Sequence, residues 1–505
     1  MAPKRAREGA TAATKPAKSA KAAKAEQAAL PDIEDFSPTD LQQVRASLLD
    51  WYDANHRILP WRRNPNSKLS AATVEAAAAQ GHAPAPAELP QNEFIYYVWV
   101  CEIMSQQTQV SRAAEYFRRW VARWPTVQAL AGASQEEVNE LWAGLGYYRR
   151  ARYLLDGAKY IVGECGGRFP TTAKELQAIP GVGAYTSAAI ASIACGEQAA
   201  VVDGNVIRVL ARLRRVGGDP RSAAATKLWA ELAEQLLDPD RPGCFNQAMM
   251  ELGATVCVPN AEPRCGDCPI SAACLARKAV LQYEQEGGDP GAAGAPRVTD
   301  YPTKVEKAEK REETVAVAVV QLVPPGTSAS GAAGLAASRF LLVQRPPSGL
   351  LAGLWQFPLL QLPEGAEEEP ARQQQMMSEY LEAQLGLRLV QQQGGSSSGS
   401  GGSSSGSAVA VLERRPLGSL VHVFSHIRMT MKVERILLQG DISTADRAAD
   451  DASGLAALQW VPGSEMQGKG LSSGVKKIYK LFMDDRSKAG SKQSITAFFK
   501  PAATK

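Results

Sequence analysis

The length, composition and charge of the chain limit what kind of protein it is. It has 505 residues, of which 45% are hydrophobic and 21% are charged, enough for two or three domains with sizeable cores. No apolar run reaches the roughly 18 residues that a transmembrane helix needs, and no secretory hydrophobic segment follows the first residues. The sequence therefore predicts no membrane-spanning helix, and the net charge of +4 is too small by itself to demand a nucleic-acid partner.

The basic charge is concentrated at the N-terminus. Residues 1–36 are rich in alanine, lysine and proline, which predicts a disordered tail. The patch "PKRAR", Pro3 to Arg7, predicts import into the nucleus. The alternatives are a solvated tail without a receptor and an organellar transit peptide, which is also basic and poor in acids. We therefore expect a nuclear protein with an organellar pool.

Hydrophobic periodicity divides the rest of the chain into two domains. Apolar residues recur at three- and four-residue spacing over 37–283, which predicts an all-α domain. Over 314–485 the period changes to two in "TVAVAVVQLV" and "RFLLVQRP", and "LVHVFSHIRMTMKVERILL" is long enough for two strands, which predicts an α+β domain. Four further segments are low in complexity or polar: an insertion expected to be mobile (64–92), a linker (284–313), a flexible Gly/Ser loop (394–407) and a disordered tail (486–505).

A glycine-rich turn between two helical segments predicts a contact with DNA. In "KELQAIPGVGAYTSAAIASIA", Gly181 and Gly183 allow close approach of a ligand, and the amides that begin the next helix can hold an anion. This arrangement is typical of a helix–hairpin–helix, which grips a DNA phosphate without reading sequence. An ordinary glycine-punctuated helix turn is the alternative.

Two carboxylates are candidates for chemistry. Glu102 lies in the strongly apolar run "FIYYVWVCEIMSQQTQV", where burial would raise its pKa and suit it to act as a general acid. Asp203, in "AAVVDGNVIRVLARLRRV", precedes a helix whose N-terminus could face a reacting centre. A solvent-facing glutamate and a simple N-cap are the respective alternatives.

Four of the eight cysteines cluster within eighteen residues. The segment "CVPNAEPRCGDCPISAAC" contains Cys257, Cys265, Cys268 and Cys274 in the spacing C-x7-C-x2-C-x5-C. Without a secretory signal, such a cluster indicates metal binding rather than disulfides. Structural zinc sites tend to use two CxxC pairs, whereas this segment has one pair, which favours an iron–sulfur cluster.

Together these features resemble the MutY adenine DNA glycosylases of the endonuclease III-like superfamily. The resemblance implies an all-α helix–hairpin–helix glycosylase domain with a C-terminal loop holding one 4Fe-4S cluster, followed by a Nudix-like domain that recognises 8-oxoguanine. It covers about residues 38–485 apart from the insertions. The motifs that carry it are "LPWR" (59–62), "EIMSQQTQV" (102–110), "GLGYYRRAR" (144–152), "PGVGAYT" (180–186), "VVDGNVIRVLAR" (201–212), "FNQAMMELGATVC" (245–257), the cysteine cluster, "RPPSGLLAGLWQFP" (345–358) and "FSH" (424–426).

The family resemblance implies excision of adenine mispaired with 8-oxoguanine or guanine in double-stranded DNA. The base must be flipped out of the duplex, protonated by Glu102 and cleaved from a sugar that Asp203 stabilises, in two-carboxylate glycoside chemistry. By the matching motifs, Tyr147 wedges beside 8-oxoguanine, Gln107 fills the gap in the stack, and Ser425 touches the oxidised base. Other matching positions support catalysis (Asn205 and Tyr185), line the adenine pocket (Trp61, Arg62 and Gln247) or contact substrate (Thr108 and Leu145).

Several positions depart from the family pattern or separate it from its relatives. The first cysteine gap has seven residues where six are usual, and Ser105 replaces the usual leucine. Tyr185 occupies the position where lyase relatives have lysine, and no lysine occurs from Glu175 to Thr226. A tyrosine cannot form an imine, so hydrolysis alone is expected. The segment after Pro358 lacks the Glu and Arg-Glu-x-x-Glu-Glu run of working Nudix hydrolases, which predicts a binding module.

The last segment, "KQSITAFFK", resembles a peptide that binds the replication sliding clamp. Ile495, Phe498 and Phe499 would fill a surface pocket from a disordered tail, although Lys492 stands where the leading glutamine is usual. We expect a monomer with no membrane partner. The rival functions are a bifunctional glycosylase/lyase, a non-catalytic sensor of DNA lesions and a Nudix nucleotide hydrolase.

Overall fold

The computed structural model describes residues 36–495, except for 82, 260, 306–308, 347, 392–407, 425, 441–446, 449–456 and 467–468. None of the helices in this part of the chain combines the length and hydropathy needed to span a bilayer. The chain folds into a helical domain followed by a domain built on a mixed sheet, as the sequence predicts.

The helical domain has two hydrophobic cores. The first surrounds α3 (Gln91–Ser105) and α9 (Ala184–Cys195), and the second surrounds α10 (Gly204–Arg214) and α12 (Pro242–Thr255). Helix α9 of the first core packs on α12 of the second, so the two cores meet there. The described helices of this domain are α1 (Pro38–Asn55), α2 (Ala71–Ala79), α3 (Gln91–Ser105), α4 (Val110–Arg123), α5 (Val127–Ala131), α6 (Gln135–Trp142), α7 (Arg149–Glu164), α8 (Ala173–Leu176), α9 (Ala184–Cys195), α10 (Gly204–Arg214), α11 (Ala223–Leu236), α12 (Pro242–Thr255) and α13 (Leu275–Gln285).

The second domain has helices on both faces of one sheet. Its elements are β1 (Arg311–Val323), α14 (Gly331–Ala337), β2 (Arg339–Gln344), β3 (Trp355–Gln356), β4 (Leu359–Gln361), α15 (Pro370–Leu385), β5 (Arg388–Gln391), β6 (Ala408–Val423), β7 (Ile427–Gln439), β8 (Arg447–Ala448), β9 (Ala457–Pro462) and α16 (Ser473–Ile495). The strand order is β5-β6-β7-β1-β2-β9-β8, with β1 parallel to β7 and antiparallel to β2. Alternate residues of β1 enter two cores, one with α16 and the other with α15, which explains its continuous apolar sequence.

Three predicted boundaries are wrong. Phe36, assigned to the N-terminal tail, is buried in the second helical core, and the Arg214 guanidinium lies over its ring at 4.6 Å. Part of the predicted linker packs on the helical domain, because the Tyr301 carbonyl accepts a hydrogen bond from Arg212 (3.1 Å). The predicted C-terminal tail is helical as far as Ile495, because α16 continues through it.

The insertion also contains structure that its composition did not indicate. Helix α2 is capped by the Ser70 side chain, which accepts from the Thr73 amide at 3.2 Å. Two hydrogen bonds hold the chain on either side of α2. The Lys68 amide donates to the Asp53 carbonyl (2.8 Å), and the Arg118 guanidinium donates to the Gly81 carbonyl. The Gly/Ser loop and most of the N-terminal tail lie outside the described residues.

The two domains contact each other through the segment after β2. Leu354 is buried in the first helical core, and the Trp355 indole donates to the Glu136 carboxylate of α6 at 3.2 Å. The Tyr148 hydroxyl donates to the Leu471 carbonyl at 3.4 Å. The motif "RPPSGLLAGLWQFP" thus places the sheet domain beside the loop that carries Tyr147.

Candidate active site

Glu102 lies near the C-terminal end of α3, with its side chain partly buried at the meeting point of the cores. The Tyr185 hydroxyl, at the start of α9, donates to its Oε2 atom at 2.9 Å. The neighbouring thiol of Cys101 lies 3.7 Å from Oε1. Tyr185 therefore orients the carboxyl group from a separate helix, and the alternative of a solvent-facing glutamate is wrong.

The pKa of Glu102 is raised to about 7. Burial is the main cause, since a desolvated carboxylate is costly. The negative charge of Asp203 raises it further, while the hydrogen bond from Tyr185 lowers it. Near neutral pH a substantial fraction of Glu102 therefore carries a proton that it can donate, as a general acid requires.

Asp203 lies in a different environment, at the N-cap of α10. Its Oδ1 atom accepts from the amides of Asn205 (2.9 Å) and Val206 (2.7 Å), and its Oδ2 atom accepts from the Asn205 side chain (2.8 Å). From the sequence, Asp203 could be either an N-cap or a reactive carboxylate. The observed geometry is compatible with both roles, because the three N–H donors fix the orientation of the carboxylate. Two carboxyl groups in such different surroundings are suited to different roles.

Arg208 supports this arrangement from the next turn of α10. It donates to the Asn205 side-chain oxygen (2.8 Å) and to the Cys257 carbonyl (2.7 Å), so Asp203 is linked to the cysteine segment through two side chains. Gly253 lets α12 approach this network closely, since a Cβ there would lie 2.6 Å from the Asn205 Cβ.

A buried ion cluster holds the residues matched to the adenine pocket. The Arg62 guanidinium donates to Gln247 (3.2 Å) and to Glu251 (3.1 Å). Arg57 donates to the other carboxylate oxygen of Glu251 at 2.6 Å. Burial would raise the pKa of Glu251, but the two arginines lower it to about 2, so it stays ionised. Trp61 is buried beside Phe117, with ring centroids 5.1 Å apart.

A cavity of about 550 Å³ opens next to this cluster. One wall is the segment from α1 to Leu59, which includes Arg57, and a second is the start of α4 at Val110 and Ser111. Helix α2 of the insertion supplies a third wall through Thr73 and Ala77. Among the described residues, the cavity lining includes Arg57 and no acidic side chain.

Gln107 and Tyr147 are both exposed and lie on loops beside α3 and α7. Each has a left-handed backbone, with φ of 52° and 49° respectively. Tyr147 is 50% exposed, which is unusual for a large apolar side chain. This exposure places the Tyr147 side chain outside the hydrophobic core.

The glycine turn lies between α8 and α9. Gly181 has φ of +80°, and a Cβ there would lie 2.5 Å from the Tyr153 side chain, so only glycine fits. Gly183 is the N-cap of α9 and provides no side-chain cap, which leaves the first amides of this twelve-residue helix without one. This geometry fits the predicted phosphate contact. The preceding helix, α8, ends at Leu176.

The four clustered cysteines line one cavity between α10, α12 and the following loop. Burial raises the pKa of Cys268 to about 12, so thiolates there require a bound cation. Arg212 donates to the Cys257 sulfur at 3.2 Å. Among the described residues, no group of three or more His, Cys, Asp or Glu is arranged to hold a metal ion.

Comparison with known proteins identifies the family. Residues 100–235 match the model of the HhH-GPD superfamily of base excision DNA repair proteins, and residues 332–481 match the NUDIX domain. The chain is 39% identical to the human adenine DNA glycosylase over 90% of this chain and 77% of that protein. The chain belongs to the adenine DNA glycosylase family. The mouse member is 38% identical over 90% of this chain and 81% of its own length, and the Arabidopsis thaliana member is 38% identical over 88% and 65% respectively.

The predicted site residues of this glycosylase fall into separate groups. Glu102 and Tyr185 form one hydrogen-bonded pair, Asp203 and Asn205 form a second, and Arg62 and Gln247 form a third. The Thr108 hydroxyl contacts Arg150 at 3.2 Å. Leu145 is buried in the first core and offers little surface to a substrate. Ser425 and the pair Phe498 and Phe499 lie outside the described residues.

Sequence reasoning missed four residues that shape the glycosylase site. Glu251 lies in the apolar segment "MMELGA", so the criterion that found Glu102 would also have found it. Arg57 and Arg208 gave no such signal, since their partners are distant in the sequence. Arg150 lies in "YYRRAR", which resembles a solvated basic patch although this arginine is buried.

Proposed function

We propose that this protein hydrolyses the N-glycosidic bond of adenine mispaired with 8-oxoguanine or guanine, without cutting the DNA backbone. The observation that supports this best is the pairing of Glu102, whose pKa is about 7, with Asp203, whose carboxylate accepts three N–H groups. Glu102 can therefore donate a proton, and the Asp203 carboxylate can stabilise a positive charge.

In the proposed reaction, Glu102 protonates the imidazole-ring nitrogen of the flipped adenine. The electrons of the glycosidic bond pass to the base, which leaves as neutral adenine. Asp203 stabilises the positive charge that develops on the sugar, by electrostatics or by a transient bond. Water then adds to the sugar carbon and loses a proton, which leaves an abasic site in an intact strand.

The rival lyase mechanism requires an amine near the sugar. Position 185 carries a tyrosine hydroxyl bonded to Glu102, and the nearest lysines in sequence are Lys174 and Lys227. Borohydride treatment during turnover is therefore expected to trap little covalent adduct. Abundant trapping would favour the lyase, while magnesium-dependent cleavage of 8-oxo-dGTP would favour a Nudix hydrolase.

The excision rate is expected to fall as the pH rises through about 7, because Glu102 then loses the proton that it donates. Since the Tyr185 hydrogen bond lowers the pKa of Glu102, Tyr185→Phe is expected to move this fall to higher pH. Single-turnover rates between about pH 5 and pH 9 measure both effects. Tyr160→Phe on α7 is the matched control, and an unshifted profile in Tyr185→Phe would contradict the assignment.

We also propose that Cys257, Cys265, Cys268 and Cys274 hold one 4Fe-4S cluster. Their placement around one cavity supports this, and four thiolates are the usual ligands of such clusters. When bound, the cluster would supply redox-active iron and would cross-link the segment between α12 and α13, which carries all four cysteines. The extra residue in the first cysteine gap does not prevent Cys257 from lining the same cavity.

Cys268→Ser is expected to lose most of the protein's iron and inorganic sulfide, because serine is a poor ligand for these clusters. Iron and sulfide assays on freshly purified protein measure the loss. Cys195→Ser, which changes a cysteine at the end of α9, serves as the control. Full iron content in the Cys268 variant, or zinc in place of iron in the unmodified protein, would argue against the cluster.

Two further proposals concern the ends of the chain. Ile495, Phe498 and Phe499 bind a replication sliding clamp, and a Phe498→Ala/Phe499→Ala variant should lose that binding in calorimetry. Clamp binding that survives in this variant would overturn the proposal.

The basic patch at Lys4, Arg5 and Arg7 directs the protein to the nucleus, and a fluorescent fusion with these residues changed to alanine should lose nuclear enrichment. A fusion that stays nuclear would overturn the proposal.

A further inference from the structure

A buried arginine joins the two loops that carry the exposed residues Gln107 and Tyr147. Arg150, at the start of α7, is 6% exposed. Its guanidinium donates to the carbonyls of Met104 (2.8 Å), at the end of α3, and Gln106 (2.6 Å), in the loop that follows. On the other loop it donates to the Gly146 carbonyl (3.0 Å). Further contacts are made with the Ile103 carbonyl (3.1 Å), the Leu145 carbonyl (3.5 Å) and the Thr108 hydroxyl (3.2 Å).

These contacts surround both left-handed residues. Gln106 and Thr108 flank Gln107, and Gly146 precedes Tyr147. Gln107 and Tyr147 are two of the four non-glycine residues with positive φ in the described part of the chain. A non-glycine residue with a left-handed backbone is strained, and contacts from its surroundings must hold it in that conformation. The forked guanidinium of Arg150 makes such contacts with both loops.

The guanidinium also faces aromatic rings. Its carbon lies 5.2 Å from the centre of the Trp142 ring and 5.5 Å from that of Tyr147. Among the described residues, no carboxylate forms an ion pair with Arg150. Main-chain carbonyls and the Thr108 hydroxyl accept from the two terminal nitrogens of the guanidinium, while its buried Nε has no hydrogen-bond partner. These bonds fix the loops rather than neutralise a neighbouring acid.

We propose that Arg150 is a positioning residue that holds Gln107 and Tyr147 in the geometry needed to recognise a mispair. The inference rests on the proposed function, because it assigns these two side chains to the DNA stack. Lysine would keep the charge but lose the fork, since a single ammonium cannot hold both loops in the same way.

The test compares Arg150→Lys, Tyr147→Ala and the double variant with the unmodified protein. Dissociation constants are measured by fluorescence anisotropy for two duplexes. One has adenine opposite 8-oxoguanine, and the other is correctly paired, with adenine opposite thymine. Each single variant is expected to lose about tenfold or more of its preference for the mispair, the size of one stacking contact. The double variant is expected to lose less than the sum of the two single losses, because part of the effect of Arg150 runs through Tyr147.

Arg149→Lys, at the exposed neighbour of Arg150, is the control and should keep the preference. Additive losses, or equal weakening for mispaired and matched duplexes, would overturn the proposal. If Arg150→Lys lowers the melting temperature strongly, Thr108→Val removes one contact instead and should cause a smaller loss of preference; no loss would count against the proposal. Failure of the proposed function would show separately, as absent adenine release by the unmodified protein.

Discussion

Glu102→Gln is expected to lower the single-turnover rate of adenine excision by about 10²- to 10⁴-fold, the usual contribution of a general acid. Glutamine keeps the shape of the side chain and can still accept the Tyr185 hydrogen bond, but it has no proton to donate to the base. Rates are measured at saturating enzyme on a duplex with adenine opposite 8-oxoguanine, so that binding does not limit them.

Glu93→Gln is the matched control for this substitution. Glu93 lies in the first turn of the same helix, away from the site, and its change should leave the rate within about twofold. The pH profile adds a second criterion, because the fall in rate near pH 7 should disappear from the residual activity of Glu102→Gln. A wild-type rate in that variant would remove Glu102 from the mechanism.

Asp203→Asn is expected to lower the same rate by about 10²- to 10³-fold or more, the scale of one lost electrostatic contact to a developing charge. Asparagine is a good N-cap, so α10 should remain folded and the melting temperature should change little. The loss would therefore report on the negative charge rather than on helix stability.

The control for Asp203 is Asp219→Asn. Asp219 also accepts a nearby amide, that of Arg221 at 2.9 Å, but it lies on the surface of the domain. Its variant should excise adenine at the unmodified rate. If Asp203→Asn does the same while binding the mispair normally, the protein has no need of a carboxylate at the sugar, and the mechanism proposed above is wrong.

The sequence predicts the parts of the site better than their connections. Glu102 and Asp203 were found from local signals, an acid in an apolar run and an acid before a helix. The bond from Tyr185 to Glu102 joins residues from two helices, and nothing in the local pattern of either residue predicts it. The same reason explains why Arg57 and Arg208 were missed, since packing of distant helices creates their roles.

Errors in the boundaries have a similar origin. Residues near Tyr301 look like a linker because their composition is polar and rich in glycine upstream, but Arg212 and the second core fix them. The insertion looks featureless, yet α2 forms a wall of the cavity next to Arg57. Composition predicts whether a segment forms structure by itself. The linker near Tyr301 and the insertion are instead ordered by the surface on which they pack.

The most direct test of the account follows both products of one turnover by the unmodified protein. A duplex with adenine opposite 8-oxoguanine is incubated with excess enzyme, released base is measured by chromatography, and the strand is examined with and without alkali. The account predicts free adenine and a strand that breaks only after alkali. Strand cleavage without alkali, or no release of adenine, would contradict it.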